Sequence, residues 1–65
     1  MDFIKIKNSR ICSKEILVYY PVIIQESNEL RIIINTNGGA IEITIPLDNQ
    51  EELDLELKAL DWKLL

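Results

Sequence analysis

Leu30-Arg31-Ile32-Ile33-Ile34-Asn35-Thr36, then Asn37-Gly38-Gly39, then Ala40-Ile41-Glu42-Ile43-Thr44-Ile45: two β-branched runs flank an Asn-Gly dipeptide, the strongest short-range signal of a β-hairpin. The dipeptide favours a type I′ turn, because Asn and Gly tolerate the positive φ that such a turn needs at both central positions. With Asn37-Gly38 as the loop, Ile34 faces Ile41, Ile32 faces Ile43 and Leu30 faces Ile45, so both strands place their apolar residues on one side. A loop at Gly38-Gly39 keeps that parity. The opposite side carries Arg31, Ile33, Asn35, Glu42 and Thr44, and Ile33 is the one large apolar residue on it.

Upstream, residues 15–26 read as a strand rich in Val, Ile and Tyr that reverses through Glu26-Ser27-Asn28-Glu29 into the hairpin. It is apolar on both faces, and Pro21 requires it to sit at a sheet edge or to carry a bulge, since proline donates nothing to a ladder. Residues 2–8 alternate Ile4 and Ile6 with Lys5 and Lys7, which predicts a first, half-exposed strand. Residues 8–14 read as a polar connection anchored only by Ile11.

Downstream, Pro46-Leu47-Asp48 ends the sheet, and Asp48 with Glu51 forms an N-capping signature. Leu53, Leu57, Leu60 and Leu64 recur at spacings of four, three and four, one stripe of a helix spanning about residues 49–63. Residues 53–57 also alternate as a strand would, but the cap, the leucine content and the longer stripe favour helix. Every isoleucine lies at or before Ile45 and six of nine leucines at or after Leu53, which separates sheet from helix. The expected fold is α+β: one domain over 1–65, with a four-stranded, mainly antiparallel sheet (about 2–8, 15–26, 30–36 and 40–46). A C-terminal helix packs on one face, in the order ββββα.

Sixty-five residues lie near the lower limit for an independent core, where burial rarely yields more than about 3–5 kcal/mol without a disulfide, a metal or a partner. Cys12 is the only cysteine and histidine is absent, so no internal disulfide and no Cys/His metal set is expected. A partner subunit remains. No 18-residue apolar run and no signal-peptide pattern is present, and a free thiol suits a reducing compartment, so the expected location is cytoplasmic. Twelve isoleucines and five asparagines are the usage of AT-rich coding DNA, which suits a phage or mobile element acting in a host cytoplasm.

No histidine means no imidazole base and no Ser-His or Cys-His pair. Asn37-Gly38-Gly39 opens no helix and is too short to cradle phosphate. Cys12 lies between Arg10 and Lys14, yet nothing else activates it. The dense carboxylates of the last third have no sign of the burial that would separate their pKa values. We therefore expect no enzyme activity, no cofactor and no metal.

Charge is uneven. Residues 1–25 carry a net +2 and residues 26–65 a net −6. The overall −4 disfavours phosphate-backbone binding. The acidic residues Glu51, Glu52, Asp54, Glu56 and Asp61 form either a solvated helix face or a mimic of nucleic acid offered to a basic groove.

Apolar surface is left over. Leu55, Ala59 and Trp62 lie opposite the leucine stripe, and a single helix covers one sheet face, leaving Tyr19, Tyr20, Val22 and Ile33 for a partner unless residues 8–14 or the last residues fold over them. These seven are the expected interface of a homodimer, a protein complex or both. The functional expectation is a small interaction module, a regulator or an anti-defence inhibitor. The alternative is nucleic-acid binding by the basic first strand with Tyr19 and Tyr20 as a stacking platform.

Overall fold

Asn37-Gly38 is the loop, and the register around it is the one the isoleucines dictate: Ile34 pairs with Ile41, Ile32 with Ile43 and Leu30 with Ile45. The computed structural model describes residues 2–65. Its elements are β1 (Phe3–Ile6), β2 (Ser9–Cys12), a 3-10 turn at Ser13–Glu15, β3 (Ile16–Ile24), β4 (Ser27–Thr36), β5 (Gly39–Leu47) and α1 (Gln50–Leu64). The turn itself differs from the type I′ expectation, because the left-handed backbone falls on Gly39 (φ 110) and not on Asn37. Thr36 takes over the pinning. Its Oγ1 accepts from the Gly38 amide at 3.2 Å and donates to the Gly39 carbonyl at 2.6 Å.

The expected four-stranded sheet is instead two antiparallel sheets, a β1-β2 hairpin and a β3-β4-β5 meander. Residues 8–14, read as a polar connection, hold β2 and the 3-10 turn. The cause is a two-residue loop at Lys7-Asn8 with Lys7 at φ 55, a conformation that lysine does not advertise in sequence. The turn before β4 shifts similarly, to Gln25-Glu26 with Gln25 at φ 50, so β4 begins at Ser27. β3 meets both conditions that Pro21 set: it is an edge strand, and it carries a bulge, although at Ile16/Val18 rather than at the proline.

α1 is helical throughout, residues 53–57 included. Its cap sits one residue later than expected: the Asn49 side chain accepts from the Glu52 amide at 2.8 Å, contributing about 1 kcal/mol, while Asp48 reaches Lys7. Leu53 and Leu60 are fully buried, and Leu57 and Leu64 pack beside them.

Helix and β1-β2 hairpin lie on the same side of the meander. Ile4, Ile6 and Ile11 join Leu30, Ile32, Ile45, Leu47, Leu53 and Leu60 in one core, and Leu30 and Ile32 reach 0 % exposure. Ile32→Ala should cost about 2–5 kcal/mol, comparable with the whole stability of so small a domain, and leave the chain largely unfolded at 25 °C. Gln25→Gly should instead add about 0.5–1 kcal/mol by relieving left-handed strain. Urea denaturation followed by far-UV circular dichroism checks both.

Candidate functional interfaces

Strand alternation sends neighbouring side chains to opposite faces, and it divides the expected interface. Tyr20, Val22 and Ile33 lie on the outer face of the meander, joined there by Val18 and Ile24, which composition alone did not single out. Tyr19, opposite Ile32, points to the inner face, packs against the core and donates its hydroxyl to Asp61 at 2.7 Å. Leu55, Ala59 and Trp62 line the exposed flank of α1 on the far side of the molecule. The seven residues therefore make two surfaces and one internal contact.

The outer sheet face is half apolar and half polar. Along β3 run Val18 (48 % exposed), Tyr20, Val22 and Ile24 (56 %), with Ile33 beside them on β4. Toward β5 lie Arg31, Glu29 and Glu42, already linked: Tyr20 donates to Glu42, and Arg31 donates to Glu29 at 3.0 Å. Arg31 Nε is buried without an acceptor.

Both edges of this sheet are blunted by proline. The pair closing a two-residue hairpin loop is hydrogen-bonded, so Ile24↔Ser27 and Thr36↔Gly39 set the alternation on either side of β4. Counting back from them, Pro21 opposite Leu30 and Pro46 opposite Glu29 both fall where the backbone nitrogen faces the open edge. Neither can donate to an added strand. Such edges resist extension.

The acidic residues are not equally available. Glu52 pairs with Lys7, as does Asp48 at 3.4 Å, and Asp61 receives Tyr19. Glu56 is half-buried, whereas Glu51 and Asp54 are exposed. Of the basic residues near the N-terminus, Lys5 pairs across the first hairpin with Arg10 and both are exposed, whereas Lys7 is engaged by acids, and Tyr19 and Tyr20 point to opposite faces of the meander.

A small groove of about 380 Å³ separates the start of β1 from the end of α1, lined by Asp2, Phe3, Ile4, Ser13, Trp62 and Lys63. Cys12 is a half-buried free thiol. Among the described residues no group of three or more His, Cys, Asp or Glu is placed to hold a metal ion, and no helix is long and apolar enough to cross a membrane. Set against family models, curated proteins and solved structures, the chain matches none.

Three of the cross-element contacts bear on alkaline pH. The bond to Asp61 raises Tyr19 above the ordinary 10.0, the bond to Glu42 raises Tyr20, and the bond to Glu52 raises Lys7 above 10.5 despite partial desolvation. In each case the folded state holds its proton more tightly than the unfolded one. The stabilisation is complete below about pH 10 and is lost as pH climbs through the raised values. Absorbance at 295 nm should show both tyrosines ionising above pH 10, and Asp61→Asn should return Tyr19 toward the ordinary value while leaving Tyr20 raised.

Proposed function

We propose that this protein is a non-enzymatic interaction module, a regulator or inhibitor that acts by occupying a macromolecular partner with the outward flank of α1. The observation that carries this is Trp62, 88 % exposed and in line with Ala59 and Leu55 (60 % exposed) at spacings of three and four. A solvated tryptophan in a 65-residue chain forfeits a large apolar burial, and tryptophan is the side chain most enriched among residues that dominate binding energy.

Glu51 and Asp54 border the same flank, and α1 carries five acids against Lys58 and Lys63. The partner surface that fits is an apolar slot flanked by basic groups. A nucleic-acid-binding groove has that chemistry, and blocking one is the specific form of inhibition this reading supports, as a phage- or mobile-element-encoded inhibitor of host defence would do.

Affinity capture from cells that produce the protein tests it, with wild type and Trp62→Ala as parallel baits. The captured partner should bind Trp62→Ala at least about 30-fold more weakly, the cost of a hot-spot residue. Glu51→Lys with Asp54→Lys should reduce binding about tenfold at low salt and much less at high salt. A partner held equally by wild type and Trp62→Ala overturns the assignment.

A further inference from the structure

We infer that the outer face of the β3-β4-β5 sheet is the seat of a second copy of this chain, the two meanders packing face to face about a two-fold axis. This rests on the reading of the protein as an interaction module and assigns self-association to the sheet and partner binding to the helix.

Surface area comes first. A compact monomer of 7.5 kDa exposes about 4,200 Å² by the scaling of folded proteins, whereas this chain exposes 4767 Å². The excess is about 500 Å². The meander is also broad enough to use it, since the molecule measures 34 × 23 × 21 Å and β4 alone runs about 33 Å at strand rise. Three strands about 4.8 Å apart over that length make a face of roughly 500 Å² in plan, which matches the excess and falls at the small end of the range for specific interfaces.

Charge then selects the occupant. Of the net −4, α1 contributes −3, and α1 lies on the other side of the sheet from this face. Two copies joined through their helices would bring like charges together. Two copies joined through their sheets hold the helices at opposite ends of the assembly, while the face between them carries Val18, Tyr20, Val22, Ile24 and Ile33 and a polar strip of net −1, Arg31 against Glu29 and Glu42, a third of the helix's charge. Pro21 and Pro46 each remove one outward donor and so disfavour edge-to-edge pairing, which favours stacking, with the sheets about 10 Å apart.

Sedimentation equilibrium on the intact chain tests the assignment. Wild type should have twice the 7.5 kDa chain mass at about 100 μM. Val18→Lys with Ile24→Lys, both at positions already about half exposed, should halve that mass with the helical circular dichroism retained, and Trp62→Ala should leave the dimer intact. A monomeric wild type, a lysine variant that stays dimeric, or a dimer lost with Trp62→Ala overturns the inference. Should the lysine variant unfold, isotope-filtered NOEs in mixed labelled and unlabelled wild type decide: contacts between Val18, Val22 and Ile33 methyls of two protomers support the sheet interface, and their absence rejects it. A monomer that still captures its partner through Trp62 refutes only the dimer; a dimer whose captured partner ignores Trp62 refutes only the helix reading.

Discussion

Leu30 and Ile32 are dry on one side of β4 because three separate pieces of chain converge on them: the leucine stripe of α1, the isoleucines of the first hairpin, and the flanking strands. That one-sided burial governs everything else in the molecule. The hairpin and helix cover the middle of one sheet face, while Ile23 and Ile41 toward its ends stay about half exposed. Among the described residues no element lies over the second face or outside the helix flank.

The isoleucine parity of β4 and β5 was fully readable in sequence, because strand side chains alternate with a period of two and the loop could slip only between two equivalent settings. The helix was readable through leucine spacing. The first hairpin was not. Lys7 and Gln25 adopt left-handed backbone at the first position of their loops, and neither residue type carries a signal for it. Ser9–Cys12 offers only four residues with Ile11 as its single large apolar group, too little to distinguish a strand from a loop. The helix cap moved from Asp48 to Asn49 for a tertiary reason, as Asp48 pairs with a lysine 41 positions away.

The surfaces were legible in part. Leu55 and Trp62 follow from helical periodicity alone. Tyr19 and Tyr20 are neighbours in sequence, but consecutive strand residues diverge, and the structure sends one to the helix and one outward. The engagement of Glu52 by Lys7 and of Asp61 by Tyr19 joins residues more than 40 positions apart, which no local pattern reports.

Every ladder in this molecule joins strands adjacent in the chain: β1 with β2, β3 with β4, β4 with β5. Each is closed by a loop of two residues. Hairpins of this kind zip in about 1–10 μs, with little entropy of closure to overcome. The chain is thus set to reach its native topology quickly, by local pairing followed by docking of α1, without the slow search that a non-local sheet imposes on its nascent strands.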